Sequence, residues 1–220
     1  MRVLPAGADA VLLDFSDADD PAAATIVAAE ALRVAASTEL AAVTDVVPTA
    51  HTVLVQAGPG RGIDTLGLHR VLRGPGAHPV ADGVDVEVRI PVSYDGDDLS
   101  EVAGKLDMTV DEVIAAHLRI RWRVQFIGFA PGFGYLVPQG DSPEPLMSVG
   151  RRAESRTRVP AGSVAIAAGY SAVYPRVSPG GWHLLGHTDI DMWDETAQPP
   201  ALLTPGKLVR FVDVDGARGR

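Results

Sequence analysis

The sequence predicts an α+β protein whose carboxyl-terminal part is mainly β-structure, and three observations carry this prediction. Residues 10–72 hold short apolar runs and helical patterns in the order strand, helix, strand, strand, helix. Residues 84–92 alternate apolar and polar side chains with a period of two, which is typical of a half-buried strand. Beyond residue 122, short apolar runs are separated by clusters of Gly, Pro and Ser, which favours an antiparallel barrel or sandwich.

The amino-terminal elements have the order of a small split-βαβ (ferredoxin-like) domain. Asp20 followed by Pro21 is an N-cap and first-turn signal for an alanine-rich helix that ends near Ser37. The remaining signals are apolar or β-branched runs that predict three strands and a second, shorter helix, at residues 10–15, 43–47, 51–56 and 63–72.

A glycine- and proline-rich stretch, residues 74–83, is the best candidate for a linker, with a loop inside one domain as the alternative. We therefore predict a small α+β domain over residues 1–82 and a β-rich domain over residues 83–220. Within the second domain the patterns predict a short helix and further strands, at residues 98–106, 124–129, 163–168, 183–185 and 208–212.

One further helix of the second domain carries a histidine on its apolar face. Thr109 with Glu112 three residues later is a capping-box pattern, which predicts a helix that continues to about Arg119. On that helix His117 lies on the same face as three apolar residues, Val110, Val113 and Ile114. This position fits either a core histidine or a functional one.

Composition excludes several classes of protein. The 220 residues contain no cysteine, so disulfides, thiolate metal sites and a cysteine nucleophile are excluded. A formal net charge of -9 argues against a dedicated nucleic-acid binder. The amino terminus has no apolar leader pattern, and no run approaches the roughly 18 apolar residues that a membrane span needs. We expect a soluble cytoplasmic protein that has neither nucleic acid nor membrane as a partner.

The negative charge is not spread evenly, because residues 117–160 form an arginine-rich island. They carry three acidic side chains, Asp141, Glu144 and Glu154, against seven arginines, Arg119, Arg121, Arg123, Arg151, Arg152, Arg156 and Arg158. The island is either a solvated surface or a pocket for carboxylate or phosphate, which the guanidinium fork suits well.

Three segments carry the motifs of the chain, and generic signatures such as a phosphate-binding loop are absent from it. Residues 126–136 read FIGFAPGFGYL, residues 156–166 read RTRVPAGSVAI, and residues 174–182 read YPRVSPGGW. In the first segment glycines allow successive N–H groups to converge on an anion, and a tight barrel corner is the alternative.

Together these segments resemble the allophanate hydrolase subunit 1 family, which includes the B subunit of prokaryotic 5-oxoprolinase and the Kip-type inhibitor of a sensor kinase. Related domains occur in the carboxyltransferase part of urea carboxylase. The resemblance extends over nearly the whole chain and is strongest from Val88 to Phe211. It implies a cyclophilin-like β-barrel as the carboxyl-terminal domain.

The resemblance also implies an obligate partner of the allophanate hydrolase subunit 2 type and a small amide or lactam substrate. In the 5-oxoprolinase members a third subunit completes an enzyme that converts 5-oxo-L-proline to L-glutamate with ATP. ATP with Mg²⁺ is thus expected for the assembled complex, and no cofactor or metal is expected on this chain alone. Two alternatives stay open: a regulatory protein that inhibits a sensor histidine kinase, and a component of the urea carboxylase carboxyltransferase type.

We assign catalytic roles to His117, which matches the family's own histidine, and to Arg156, the best candidate for anchoring an anion. Substrate contacts are assigned to residues of the three segments and one residue beyond them: Phe129, Pro131, Gly132, Phe133, Tyr135, Pro160, Gly162, Ser163, Gly180, Gly181, Trp182 and His187. At Ser155 and His187 the chain departs from the family pattern, which usually has proline and arginine there.

Overall fold

The computed structural model describes residues 1–74, 87–140 and 144–214. The chain divides into two compact units, Met1–Val84 and Asp85–Arg220. The predicted linker, residues 74–83, lies outside the described residues except for Gly74, and so does the start of the strand predicted over residues 84–92. None of the helices in the described ranges is both long enough and apolar enough to cross a membrane.

Four strands and two helices make up the described part of the amino-terminal unit. They are β1 (Arg2–Pro5), β2 (Ala10–Asp14), α1 (Pro21–Ala36), β3 (Val43–Pro48), β4 (Thr52–Ala57) and α2 (Thr65–Arg73). The strands form an antiparallel sheet in the order β1-β2-β4-β3. Side chains of both helices and of all but the first strand form one buried apolar core.

The ends of the two helices follow from local hydrogen bonds. The Asp20 carboxylate accepts a hydrogen bond of 2.9 Å from the amide of Ala23, and Pro21 occupies the first helical turn, which confirms the predicted cap of α1. Asp64 caps α2 in the same way, so this helix begins at Thr65 rather than at residue 63. The sequence patterns do not predict β1, because it is a mostly exposed edge strand without apolar alternation.

The carboxyl-terminal unit contains the remaining elements. They are β5 (Val88–Val92), α3 (Leu99–Leu106), α4 (Val110–Arg119), β6 (Trp122–Ile127), β7 (Gly134–Pro138), a 3-10 helix (Pro145–Ser148), β8 (Arg156–Val159), β9 (Ser163–Ala167), β10 (Tyr170–Val173), β11 (Ser178–Gly180), β12 (His183–His187) and β13 (Leu208–Asp213). Seven strands form one sheet in the order β12-β9-β10-β7-β6-β13-β5, and β8 pairs with β11.

The helices α3 and α4 bury their apolar faces in the same core as the strands of the seven-stranded sheet. The predicted capping box of α4 is confirmed: the Thr109 side chain accepts from the amide of Glu112, whose carboxylate accepts from the amide of Thr109. The buried face of α4 carries Val113, Ala116 and His117.

The seven-stranded sheet is nearly closed into a barrel, because the chain after β5 returns to β12. Ser93 and His187 exchange two backbone hydrogen bonds of 2.9 Å. The amides of Gly96 and Asp98 then donate to carbonyl oxygens of β12, at 3.1 and 3.2 Å. We call the paired segments, residues 93–98 and 184–187, the closure seam.

The two segments of the closure seam approach each other so closely that two positions require glycine. A Cβ atom at Gly186 would lie 2.2 Å from the carbonyl oxygen of Ser93, and one at Gly96 would lie 2.3 Å from that of Leu184. Both oxygens belong to backbone, which cannot move aside without opening the seam.

The strands after residue 122 pair with one another in antiparallel orientation in the seven-stranded sheet, as predicted, and the one parallel pair among the described strands of this sheet involves β5. Strand β13 pairs with β5 in parallel, with Phe211 opposite Ile90, and with β6 in antiparallel orientation. A parallel pair needs a long connection between its strands, and nearly the whole unit lies between these two. The patterns also did not predict β7, β8, β10 and β11, which are short and rich in glycine, arginine or aromatic residues.

We expect Gly186→Ala to lower the free energy of unfolding by about 1–3 kcal/mol, because the added methyl group overlaps backbone in the closure seam. Gly104→Ala in α3 is the matched control: its Cβ meets nothing within 4 Å, and the change should stabilise the helix slightly. Urea unfolding of both variants, followed by tryptophan fluorescence, measures the difference. Equal stabilities would contradict the role of the seam.

Candidate functional site

The predicted glycine–aromatic segment forms a tight loop between β6 and β7, and we call residues 128–133 the aromatic loop. The amide of Gly128 donates to the Phe133 carbonyl at 3.1 Å, and the amide of Phe133 donates to the Ala130 carbonyl at 3.0 Å. Gly132 has a φ of +80°, and a Cβ there would lie 2.8 Å from the Met192 carbonyl oxygen. The loop is therefore held both by its own hydrogen bonds and by the neighbouring chain.

The two phenylalanines of the aromatic loop have opposite environments. Phe133 is 2% exposed, whereas Phe129 is 57% exposed. Phe129 has a φ of +66°, a left-handed conformation that costs a non-glycine residue roughly 1–2 kcal/mol. A strained and exposed phenylalanine is uncommon, and such strain is concentrated at functional sites.

Ring contacts join Phe129 to a larger aromatic cluster outside the barrel core. The rings of Phe126 and Tyr135 stack with centroids 4.3 Å apart, and Phe133 packs edge-on against Trp182 at 5.6 Å. Within the described residues the cluster contains seven rings, those of Phe126, Phe129, Phe133, Tyr135, Tyr170, Tyr174 and Trp182. Four of these residues are among the predicted substrate contacts, and they come from two of the three motif segments.

Asp98 is the hub of a polar cluster at the end of the closure seam. The guanidinium of Arg156 donates to both carboxylate oxygens of Asp98, each at 2.8 Å. Arg152 donates to the same carboxylate, and the amide of Leu184 donates to it at 2.7 Å. The residue is only 3% exposed. Burial acts to raise the pKa of Asp98, but the hydrogen bonds and the two guanidinium charges hold this pKa below its usual value.

The terminal nitrogens of Arg156 are thus engaged by a carboxylate of the same chain. The bidentate pair is the strong form of such an interaction and fixes strand β8 against α3 and β12. An anion bound by Arg156 would have to use its remaining N–H groups or displace Asp98. The catalytic role of Arg156 stays a prediction, and the contacts seen here are those of a structural ion pair.

Next to Asp98 lies a buried histidine. The side chain of His183 is 1% exposed, and neither ring nitrogen has a hydrogen-bond partner among the described residues. Burial lowers the pKa of His183, and the charge of Glu101, with Oε1 3.9 Å from Nδ1, opposes this. Asp98, Glu101 and His183 offer ligand atoms within 4.8 Å of one another. The set suits a metal ion poorly, because Arg152 already bonds both carboxylates and supplies the positive charge there.

His117 is fully buried in the core of the barrel. Its Nδ1 lies 2.8 Å from the hydroxyl of Tyr94 and its Nε2 lies 3.0 Å from that of Ser171, while Phe211 stacks on the ring. The two hydroxyls satisfy a neutral imidazole, because each can donate or accept. Burial lowers the pKa of His117 to about 3. This is the environment of a core histidine, and the catalytic role remains a prediction.

Three glycines of the second and third segments lie where the neighbouring chain leaves no room for a side chain. A Cβ at Gly180 would meet the Tyr174 hydroxyl at 2.2 Å, and one at Gly162 would meet the Thr188 carbonyl oxygen at 2.2 Å. Gly181 faces Ser155 in the same way, with its Cβ position 2.7 Å from Oγ. Pro160 is exposed in the turn after β8.

The remaining predicted contact residues differ in their exposure to solvent. Ser163 is buried in β9, opposite His187 of β12. His187 is exposed, and its Nδ1 lies 2.9 Å from a carboxylate oxygen of Asp95. Pro131 is exposed in the aromatic loop.

Sequence reasoning missed several residues of the two clusters: Asp98, Arg152, Phe126, Tyr170 and Tyr174. The sequence patterns include Asp98 only as the first residue of the helix predicted over residues 98–106, and in the structure its side chain makes no cap bond to that helix. Arg152 belongs to the arginine island, and Phe126 and Tyr174 lie in the motif segments. For Tyr170 the sequence offers no signal, since it becomes an aromatic neighbour only through the pairing of β10 with β7.

Comparison with known proteins finds a matching family and similar sequences. The family model described as "Carboxyltransferase domain, subdomain C and D" matches residues 1–203. A curated relative, the B subunit of 5-oxoprolinase from Escherichia coli O157:H7, is 44% identical over 128 residues. That match covers 57% of this chain and 57% of the relative, so the chain spans just over half of the relative's length.

Solved structures share the fold. The crystal structure of TTHA0988 superposes with a TM-score of 0.79 at 34% identity, over 93% of this chain and 40% of that one. The K. lactis urea amidolyase structure superposes with a TM-score of 0.71 at 17% identity, over 98% of this chain and 15% of that one. The nearly closed barrel-like sheet therefore has the fold found in these larger proteins.

We expect Arg156→Ala to lower the free energy of unfolding by about 1–3 kcal/mol, because it leaves the buried Asp98 carboxylate with one guanidinium instead of two. Arg158→Ala is the control: Arg158 is an exposed residue of the same strand, so its loss should cost less than about 0.5 kcal/mol. All three tryptophans lie in the carboxyl-terminal unit, so their fluorescence during urea unfolding reports on it. Two variants of equal stability would refute the structural role of the pair.

The stability of the carboxyl-terminal unit should depend on the protonation of His117. Because the pKa of His117 is lowered from 6.5 to about 3, the unfolded chain takes up the proton first as the pH falls. The contribution of His117 to the free energy of unfolding is complete above pH 6.5. Between pH 6.5 and about pH 3 it falls by up to about 1.4 kcal/mol per pH unit. In His117→Gln the slope of the unfolding free energy against pH should correspond to the uptake of up to one proton fewer on unfolding. The exposed-site control His51→Gln should have the slope of the wild type. Identical pH profiles for His117→Gln and the wild type would contradict this.

Proposed function

Because the chain belongs to the family of the carboxyltransferase domain, subdomains C and D, we propose that it is a subunit of an ATP-dependent amide or lactam hydrolase. The proposed reaction is that of 5-oxoprolinase, the conversion of 5-oxo-L-proline to L-glutamate. The observation that carries the proposal is the 44% identity to the B subunit of a 5-oxoprolinase. The meeting of two motif segments in one aromatic cluster beside an arginine–carboxylate cluster supports it.

The proposed chemistry sets clear requirements. A lactam is stable, and transfer of the γ-phosphoryl group of ATP to its carbonyl oxygen, with release of ADP, would activate the ring carbon. Water would then add to that carbon, the ring C–N bond would break, and phosphate would leave. Such a site needs donors for phosphate and carboxylate, and a group that moves protons near neutral pH. The chain offers exposed guanidinium groups at Arg151, Arg158 and Arg176, and an exposed imidazole at His187. His117 would need to become exposed before it could serve.

We propose that ATP with Mg²⁺ is a co-substrate of the assembled complex and not a ligand of this chain alone. The absence of a phosphate-loop motif from the sequence supports this, as does the engagement of Arg152 and Arg156 by Asp98. A cytoplasmic location is part of the proposal, because the reaction draws on the cellular ATP pool.

The proposed partner is a protein of the allophanate hydrolase subunit 2 type, with a third subunit completing the enzyme. The curated relative is named as one subunit of its enzyme, which supports a multi-chain assembly.

We also propose that the chain consists of two domains, residues 1–82 and 83–220, of the ferredoxin-like and cyclophilin-like types. The amino-terminal assignment is supported by β2, α1 and β3, because β4 lies between the two strands as a split βαβ unit requires.

Co-expression with the proteins encoded by the neighbouring open reading frames tests the proposed function. We expect ATP-dependent release of glutamate from 5-oxoproline by the complex, and almost none from this chain alone. Allophanate and urea are tested in parallel. Turnover of urea or allophanate in place of 5-oxoproline would favour the urea carboxylase type, and a complex with a sensor kinase that shows no turnover would favour the inhibitor.

A further inference from the structure

Two exposed aromatic side chains lie on adjoining loops of the carboxyl-terminal unit. Phe129 belongs to the aromatic loop, and Trp193 belongs to residues 192–202, which we call the tryptophan loop; their side chains are 57% and 38% exposed. The loops touch, because a Cβ at Gly132 would lie 3.1 Å from the Cβ of Trp193 and 2.8 Å from the Met192 carbonyl oxygen. Large exposed apolar groups that lie together are typical of a binding surface.

Backbone hydrogen bonds hold both loops in place. Three such bonds, of 2.7–3.1 Å, lie within residues 128–133. In the tryptophan loop the amide of Asp194 donates to the Pro200 carbonyl at 2.9 Å. The amide of Leu202 donates to the Met192 carbonyl at 3.1 Å. Because the backbone is already ordered, the two rings lose little conformational entropy when a partner binds.

Carboxylates flank Trp193 along the chain. Residues 188–206 contain no lysine, arginine or histidine. The ion pairs within the described part of the chain include none of these carboxylates. We use the name aromatic–acidic surface for Phe129, Trp193 and the four exposed acidic residues, which are Asp189, Asp191, Asp194 and Glu195.

Two cations that act near this surface do not neutralise it. The ammonium of Lys207 donates to the Leu202 carbonyl at 3.0 Å, at the end of the tryptophan loop. The charge of Arg151 acts on two rings of the aromatic cluster, those of Tyr135 and Tyr174. With both cations counted, the four carboxylates still outnumber the positive charges. We therefore expect a partner that supplies positive charge.

An arginine or lysine side chain would satisfy both parts of the aromatic–acidic surface at once. A cation over the face of a tryptophan or phenylalanine ring is attracted by the ring, and it can also form an ion pair with a carboxylate beside the ring. A wholly apolar partner would remove the carboxylates from water without pairing them, and an acidic partner would be repelled. The combination of rings and carboxylates therefore favours a basic occupant.

We propose that the aromatic–acidic surface is a docking site for a basic segment of a partner protein. Arginine or lysine side chains of that segment lie on the rings of Phe129 and Trp193 and pair with the flanking carboxylates. The proposal goes beyond the proposed reaction and does not depend on it, because it names the charge and chemistry of a partner and not an activity.

Two other occupants fit the surface less well. In a dimer with a two-fold axis the carboxylates of one copy would face those of the other, so that like charges meet. A small anionic substrate, such as 5-oxoproline with its carboxylate, would be repelled in the same way.

Binding of the peptide hexa-arginine to the full chain tests the proposal. We expect the peptide to change the tryptophan emission, because Trp193 is exposed whereas Trp122 and Trp182 are at most 4% exposed. Hexa-glutamate should cause no change. The double variant Asp191→Lys/Glu195→Lys should bind hexa-arginine at least about tenfold more weakly in titration calorimetry.

The matched control for charge is Glu30→Lys/Asp45→Lys, which alters the net charge by the same amount. Both residues are exposed, and neither belongs to the aromatic–acidic surface. This variant should bind hexa-arginine with an affinity within about twofold of the wild type, because salt screens charges that are not in contact with the peptide. The melting temperature of every variant checks that the fold is kept.

Removal of the exposed ring is a second, independent measurement. Trp193→Ala should bind hexa-arginine about three- to tenfold more weakly in the same titration, because a cation–π contact is lost. Trp193→Phe keeps a ring and should recover part of the affinity. Leu66→Ala, which removes a 76% exposed apolar side chain from α2, should bind like the wild type.

Weaker binding by both surface variants, with unchanged controls, supports the proposal. Equal affinities of the two double variants would show attraction to the overall negative charge and would overturn it. A wild type that does not bind hexa-arginine, or a Trp193→Ala variant that binds it like the wild type, would overturn it as well. A wild-type dimer that Trp193→Ala dissociates would assign the surface to a second copy and also overturn it. None of these measurements uses turnover, so the docking site and the proposed function can fail separately.

Discussion

The carboxylate of Asp98 is the interaction on which the rest of the carboxyl-terminal unit depends. It stands where the closure seam ends and α3 begins, and it joins three parts of the chain: Arg152 in the loop before β8, Arg156 in β8, and the backbone of β12. A carboxylate that is almost wholly removed from water is tolerated only with such partners. The same contacts that neutralise it therefore fix the positions of both arginines, the closure of the barrel and the neighbouring motif glycines.

The parts of this fold that local signals determine were predictable from the sequence. The cap at Asp20, the capping box at Thr109 and the alternation before Val92 each depend on residues close in sequence, and the structure has all three elements. The motif segments are also informative, because aromatic residues of the first and third segments meet in the cluster. Four of the seven clustered rings belong to the predicted site.

The remainder depends on contacts between distant residues, which no local pattern records. Asp98 and Arg156 form an ion pair only because the closure seam brings α3 beside β8, so the sequence could mark Arg156 as an anion binder without showing that the anion is internal. The parallel pairing of β13 with β5 is of the same kind. Periodicity correctly placed His117 on an apolar face, but it could not distinguish a core histidine hydrogen-bonded to Tyr94 and Ser171 from a catalytic one.

The position of β13 has a consequence for biosynthesis. Among the described strands of the unit it is the last, and it lies between β5, the first, and β6. While a ribosome is still making the preceding residues, β5 and β6 each lack a neighbour and present unpaired backbone groups that can associate with other chains. The barrel can close only after β13 has emerged, so this unit completes its folding late in its synthesis or after it. Until then the nascent chain depends on whatever protects open strand edges in the cell.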